Sequence, residues 1–387
     1  MFKNQVAEFI YKRTYSRWLE EEGRREDWPE TIERFIGFII SKRPDIPEKT
    51  VSKIRKYMTE FAVMPSMRFL WAAGPAAEAD NTAIYNCSFA KINSVDAFSE
   101  CLYILMCGTG FGFSVEQNEV DKLPEIPEIK SGQGLGKVLI EDSKKGWADS
   151  VKILMNSLYK GQNLYFDYSA IRPEGARLMT MGGRASGPAP LVKLHDFMRE
   201  TMHNAQGRKL TTLEAHDICN QIAEIVVVGG VRRSSQISLS DLDDKDMRHA
   251  KEWPFPIKRA MANNSAVFRE KPSAAQFLKE WASLALSGTG ERGIFNLSAA
   301  QSRAPSRRYA PLIQGTNPCG EIMLRDMEFC NLSEVVVREE DDLDTLLDKV
   351  ETATWLGVIQ STFTDFPYLR KEWKRNCDVE RLLGVSL

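Results

Sequence analysis

The sequence has no Cys-x-x-Cys pair, only four histidines, no apolar run long enough to span a membrane and almost no net charge. Each absence removes a class of function. Without Cys-x-x-Cys there is neither the low-pKa dithiol of a thiol-disulfide oxidoreductase nor the paired spacing of structural zinc. His195, His203, His216 and His249 show no metal-ligand spacing and read as structural or solvated, so no metal site is expected. With 51 basic and 53 acidic residues and a net charge of −2, the chain is not a general nucleic-acid binder, although local Arg clusters can still hold phosphates. Met1-Phe2-Lys3-Asn4-Gln5 lacks the long apolar core of a signal peptide. A cytoplasmic protein with no membrane partner is the expectation. No Rossmann fingerprint and no propeller period appears.

What is present begins with size: 387 residues, 43% hydrophobic and 27% charged, enough for one large domain or two ordinary ones with a sizeable core. Seven cysteines, an odd and scattered set, argue against a disulfide framework and for catalytic or redox use of a few, the rest being buried. The chain is organised around Gly315-Thr316-Asn317-Pro318-Cys319-Gly320-Glu321, followed by Phe329-Cys330-Asn331-Leu332-Ser333-Glu334. Pro318 cannot continue a helix or donate to a ladder, and Gly320 permits a tight bend, which places Cys319 at a loop tip. Such a thiol serves as nucleophile, metal ligand, redox partner or radical carrier; the plain alternative is a small hydrophobe in a turn. Asn317 and Glu321 weigh against the plain alternative, because polar groups bracketing a sulfur need partners that a substrate can supply.

Asn317-Pro318-Cys319-Gly320-Glu321 with Cys330-Asn331-Leu332 resembles the radical loop and following strand of the adenosylcobalamin-dependent (class II) ribonucleotide reductases, closest to the monomeric ribonucleoside-triphosphate reductase type. Collinear stretches extend the resemblance over nearly the whole chain: Tyr11 to Leu19, Pro65-Ser66-Met67-Arg68, Asn86-Cys87-Ser88-Phe89, Gly108 to Val115, Gly182 to Pro188, Val231-Arg232-Arg233-Ser234 and Asn263-Asn264-Ser265. It implies an α/β protein carrying the first part of a ten-stranded α/β barrel of the ribonucleotide reductase and glycyl radical enzyme type. A helical N-terminal lobe over 1–60 precedes an incomplete barrel over 61–387. That barrel has a finger loop at 315–322 and an insertion at about 118–167 that imitates a second subunit and carries an allosteric site.

In chain order, Phe9, Ile10, Tyr11, Tyr15, Trp18 and Leu19 suit an amphipathic helix with an aromatic core stripe, and Trp28-Pro29-Glu30-Thr31 starts a second one. Ala83 to Ala90 reads as a buried strand, whose Cys87 on composition alone is inert packing. Cys101 lies on a helix and reads as packing. Gly108-Thr109-Gly110-Phe111-Gly112 reads as a tight turn into a strand rather than a phosphate cradle. A helix is expected from about Lys145 to Tyr159 and another over 213–225. The Gly- and Arg-rich run from Ile171 to Pro188 suits either backbone contact with an anion or an ordinary connection. In Val226 to Ser234, adjacent glycines give mobility and adjacent arginines give phosphate or base contacts. The acidic run Arg338 to Asp344 reads as a solvated helix start.

The resemblance implies site roles. Cys319 carries a thiyl radical that abstracts the ribose 3′-hydrogen, Glu321 is the general base at the 3′-hydroxyl, and Asn317 hydrogen-bonds there. Cys87 and Cys330 supply two electrons as they form a disulfide. Ser66, Asn86 and Ser88 contact substrate, and Gly229, Gly230, Arg232 and Arg233 read the effector. The implied cofactor is adenosylcobalamin. The implied partners are a ribonucleotide, a deoxynucleotide or ATP effector, and a thioredoxin-like reductant. A class I enzyme, with a separate radical-generating subunit, shares the Cys, Asn and Glu roles. The strand Leu383 to Leu387 is expected to lead, in the family, into further barrel strands and a C-terminal cysteine pair. A complementary chain, joined by splicing or acting in trans, is therefore an expected partner, and an inactive or regulatory nucleotide-binding fragment is the alternative.

Overall fold

The computed structural model describes residues 2–130, 137–177, 184–228 and 234–387. They form two compact units, one of residues 87–177 with 184–328, the other of residues 2–86 with 329–387.

The strands of the first unit are, in chain order, Cys87–Lys91 (β1), Gly110–Ser114 (β2), Lys137–Leu139 (β3), Tyr165–Asp167 (β4), Gln236–Asp241 (β5), Ala262–Phe268 (β6), Gly293–Asn296 (β7), Ile313–Thr316 (β8) and Met323–Arg325 (β9). Five make one parallel sheet in the order β1-β2-β5-β6-β7. Parallel neighbours require crossovers, and the long helices are Val95–Met106 (α1), Lys144–Leu158 (α2), Ala189–Asn204 (α3), Thr212–Val228 (α4) and Ala274–Leu286 (α5). Every residue of α1 from Ala97 to Leu105 is buried, Ser99 and Glu100 included, as expected of a mostly apolar helix in a core. β3 and β4 pair with each other apart from this sheet, and α2 and α3 accompany them.

Successive side chains of a strand face opposite sides, and β2 uses this to split its chemistry. Phe111 and Phe113 are fully buried on one side, with His216 of α4 against the Phe113 ring at 6.1 Å. Gln236 on that side donates to the Cys219 carbonyl of α4 (3.2 Å) and to the Cys101 sulfur of α1 (3.5 Å), so both helices cover the Phe face. The other side carries Gly110 and Gly112. The glycine-rich run was expected to be a tight turn, but only Gly108 turns (φ 80°), and the other two lie inside the strand.

Those two glycines seat an antiparallel hairpin, β8 and β9, whose tip is residues 317–322. A Cβ on Gly112 would stand 2.3 Å from the Thr316 carbonyl oxygen, and one on Gly110 would stand 3.1 Å from Cys87 Sγ and 3.2 Å from Pro318 Cγ. Gly315 returns the fit, since a Cβ there would stand 2.2 Å from the Phe89 ring of β1. Beyond the hairpin, the Lys91 N–H at the end of β1 donates to Asp326 Oδ1 (2.8 Å).

The second unit is mainly helical. Trp28–Lys42 opens with a capping box between Asp27 and Glu30 and has Pro29 in its first turn, and it buries Ile32, Phe35, Ile36 and Ile39. Strand Glu328–Val335 runs parallel to Leu383–Ser386 and antiparallel to Val63–Met64, with helix Leu343–Ser361 between the parallel pair in sequence. Three sequence expectations change in this unit. The first helix ends at Thr14, and Phe9, Ile10 and Trp18 are exposed, so within that helix only Tyr11 is core. The run expected as one strand from Ala83 is interrupted, because Asn81–Ile84 is a 3-10 turn and the strand begins at Cys87. In the acidic run, Asp341 is not solvated, since it holds Lys349 Nζ at 2.6 Å with both side chains about 4% exposed.

The seat makes a checkable demand. Gly112→Ala should lower stability by roughly 1–3 kcal/mol, because its methyl meets backbone rather than a movable side chain. Ala at Gly23, where a Cβ meets nothing within 4 Å, should cost only the strain of its positive φ of 63°. Urea unfolding of the two variants compares them directly.

Candidate active site

Asn317-Pro318-Cys319-Gly320 is a β-turn closed by Gly320 N–H donating to the Asn317 carbonyl (2.9 Å). Asn at the first position, Pro at the second and Gly at the fourth are the residues such a turn favours. Gly320 takes a φ of 87°, and Cys319 is left exposed at the tip. It is the exposed member of the seven cysteines; Cys87, Cys101, Cys107, Cys219, Cys330 and Cys377 are buried.

The base of the turn is pinned by side-chain and backbone bonds together. Asn317 N–H donates to the Ile322 carbonyl (3.2 Å), and Ile322 N–H donates to Asn317 Oδ1 (3.0 Å). The Thr316 hydroxyl donates to the Ile322 carbonyl (3.1 Å) and to Asn317 Oδ1 (3.3 Å). Asn317 is fully buried, yet its Nδ2 has no partner among the described residues. A buried amide donor left unmade costs about 1–3 kcal/mol, so a ligand oxygen there recovers a real quantity.

Cys319 meets Cys87 across the seat. The hydrogen bond from the Cys87 thiol lowers Cys319 to about 7, against burial and the Glu321 carboxylate, which raise it. A sizeable thiolate fraction at neutral pH follows. The pair Cys101 and Cys219 behaves oppositely, since burial first, then the hydrogen bond with Cys101, pushes the Cys219 thiol far up and leaves it inert. Cys107 Sγ accepts from Lys144 Nζ (3.1 Å) inside the structure.

The structure brings Cys319, Asn317, Glu321 and Cys87 to one place within the first unit. Cys330 lies fully buried in strand Glu328–Val335 of the other unit. Asn86, also there, accepts Leu332 N–H on its Oδ1 (3.3 Å). Ser66 caps helix Met67–Ala72, accepting Phe69 N–H (3.1 Å), and is 5% exposed. Ser88 is on the face of β1 opposite Cys87 and donates to the Gly110 carbonyl (2.9 Å), so it does not join the Cys319 cluster. Gly229, Gly230, Arg232 and Arg233 lie outside the described residues. The sequence reading missed Gly110, Gly112 and Thr316. Their signal was the period-two Gly-Phe-Gly-Phe alternation, which marks a strand with one bare face.

A second feature lies beside α3. A cavity of about 540 Å³ is lined by Glu174, Gly175, Arg184, Ser186, Lys193 and Glu224 among others. Arg184 donates to the Gly175 carbonyl (2.9 Å), and Lys193 pairs with Glu224 (2.8 Å). Nearby, burial and then Arg199 hold His195 down to about 3, so it is a neutral linker between Ser150 and Tyr168 (3.0 and 2.7 Å). Among the described residues no cluster of His, Cys, Asp and Glu could hold a metal ion, and no helix is long and apolar enough to cross a membrane.

Comparison with known proteins bears on this geometry. Residues 1–75 match the ribonucleotide reductase alpha domain, and residues 137–202 match the insertion domain of B12-dependent ribonucleotide reductase. The adenosylcobalamin-dependent ribonucleoside-triphosphate reductase of Lactobacillus leichmannii is 30% identical over 455 aligned positions, covering 97% of this chain and 60% of the relative. That of Lactobacillus helveticus (strain DPC 4571) is 30% identical with the same coverage. A crystal structure of a B-12 dependent (class II) ribonucleotide reductase superposes with a TM-score of 0.80 at 27% identity, over 98% of this chain and 62% of that one.

The chain belongs to the ribonucleotide reductase family and has its α/β fold. Within that family it is of the B12-dependent, class II branch, and it spans about 60% of the length of the curated relatives it matches, corresponding to their N-terminal portion.

The thiol geometry sets a pH expectation. Alkylation of Cys319 by iodoacetamide, followed by peptide mass spectrometry, should rise with pH through a midpoint of about 7. In Cys87→Ala the midpoint should move up, because the donor that stabilises the thiolate is gone.

Proposed function

We propose that this protein reduces ribonucleotides to 2′-deoxyribonucleotides by radical chemistry at Cys319. The substrates are ribonucleoside triphosphates, as the names of its relatives indicate for them. The observation that carries the reading is the unpartnered Asn317 Nδ2, buried beside an exposed thiol that Cys87 acidifies. The first gives a ribose hydroxyl a donor to bind, and the second gives its carbon a sulfur to meet.

The loop tip has room for the family's cofactor. Cys319 is exposed, and a Cβ on Gly320 would meet nothing within 4 Å, so Cys319 and Gly320 are the described residues that would face adenosylcobalamin. When bound, that cofactor supplies an organic radical by homolysis of its cobalt-carbon bond. The chain's own residues do the rest. Cys319 sulfur, as a thiyl radical, takes the ribose 3′-hydrogen and later returns it. Glu321 accepts the 3′-hydroxyl proton as general base, and Asn317 Nδ2 holds the 3′-oxygen. The 2′-hydroxyl leaves as water once protonated. Cys87 and Cys330 give up two electrons and two protons and end as a disulfide, which a thioredoxin-like dithiol reduces for the next turnover.

Regulation by a nucleotide effector belongs to the same reading. The cavity between Glu174 and Lys193 has the volume of a small-molecule site, and Glu224 in its wall is on the helix that leads to Gly229, Gly230, Arg232 and Arg233. We assign effector binding to this region, with those four residues carrying its state to the active site.

The test is deoxynucleotide formation from ribonucleoside triphosphates by the purified protein with adenosylcobalamin and a dithiol. Cys319→Ser should abolish product, and Glu321→Gln should lower kcat on the order of 10²-fold, the typical loss of a general base. Product formation that persists in Cys319→Ser would overturn the reading.

A further inference from the structure

The Asn317 amide has two chemically distinct ends, and which one faces a ligand decides whether it donates or accepts there. The answer is fixed by its neighbours. A backbone N–H can only donate, so the amide atom 3.0 Å from Ile322 N must be the oxygen. The second donor on that oxygen is the Thr316 hydroxyl at 3.3 Å, in a three-centre bond that also reaches the Ile322 carbonyl at 3.1 Å. Thr316 is 1% exposed, and its own carbonyl oxygen lies 2.3 Å from where a Cβ on Gly112 would stand, so the hydroxyl is carried on a segment packed closely on the sheet.

We propose that Thr316 is a positioning residue of this site: its hydroxyl, with the Ile322 N–H, occupies the Asn317 amide oxygen and so turns the amide hydrogens toward a bound ribose. The inference deepens the ribonucleotide-reductase reading and rests on it. Thr316 touches no substrate. It acts by tying the amide oxygen and the Ile322 carbonyl to one proton, which removes the rotation that would present the oxygen instead. The bond is neutral and shared, so its loss should weaken ligand binding about fivefold, the scale of one modest hydrogen bond.

The experiment reads nucleotide binding without turnover. With adenosylcobalamin omitted, Cys319 is alkylated by iodoacetamide at increasing CTP, and the CTP concentration giving half protection is measured for the wild type, Thr316→Val and Thr316→Ser. Expected is protection in the wild type, a half-protection point raised about fivefold in Thr316→Val, and a value within twofold of wild type in Thr316→Ser, the free thiol reacting at one rate in all three. Asn317→Asp keeps the acceptor for Ile322 and loses the donor, so it should raise the point at least as far as Thr316→Val, and it carries the test if Val is not tolerated. A half-protection point in Thr316→Val equal to that of the wild type overturns the proposal. Equal weakening by Val and Ser, or a changed rate for the free thiol, assigns the effect to loop packing and overturns it too. Absence of protection in the wild type removes the nucleotide reading itself, and this inference with it.

Discussion

Two missing methyl groups hold this site together. The tip bearing Cys319 reaches Cys87 only because the hairpin beneath it lies within backbone contact of β2, where a Cβ on Gly112 would be 2.3 Å from the Thr316 carbonyl. Gly110 makes the same allowance for Pro318 and for the Cys87 sulfur. On the far side of that strand, Phe111 and Phe113 fill the space under α1 and α4. One strand is therefore bare on the side where chemistry needs proximity and bulky on the side where stability needs burial. The conformational cost of two glycines in a strand, about 0.5–1 kcal/mol each against alanine, is offset by that packing.

The same closeness sorts the cysteines. A thiol in an apolar interior resists ionisation, as Cys219 beside Cys101 does, while one at a turn tip that receives a hydrogen bond is held near neutrality. The turn supplies exposure and Cys87 supplies the donor. Glu321 opposes the shift, so its carboxylate limits how acidic the thiol becomes.

Polar satisfaction completes the picture. Asn317 spends its backbone N–H, its carbonyl and its amide oxygen on shaping the tip, and the amide nitrogen alone is left for a ligand. Asn86, Ser66 and Ser88, like Asn317, each engage the protein backbone through a side-chain oxygen. A polar residue within a recognisable motif thus also serves as a structural fastener.

How much of this was legible beforehand follows from the range of each interaction. The turn at Asn317 to Gly320, the helix start at Trp28-Pro29 and the helix containing Cys101 are set by residues within four positions of one another, and the sequence by itself determined them. The motifs around Cys319 and Cys330 likewise determined the family and the α/β class. Gly110-Phe111-Gly112-Phe113 reads as a turn leading into a strand, and nothing local tells what lies on its bare face, because Thr316 is some 200 residues away and meets it only through the register of β1, β2 and the hairpin. For that reason the side of the sheet on which Ser88 falls and the cysteine that acidifies Cys319 were decided by the tertiary structure alone, whereas the direction of the Asn317 amide is set by Thr316 and Ile322, close to it in the chain. Local preference fixes which elements form; only their packing fixes which surfaces meet.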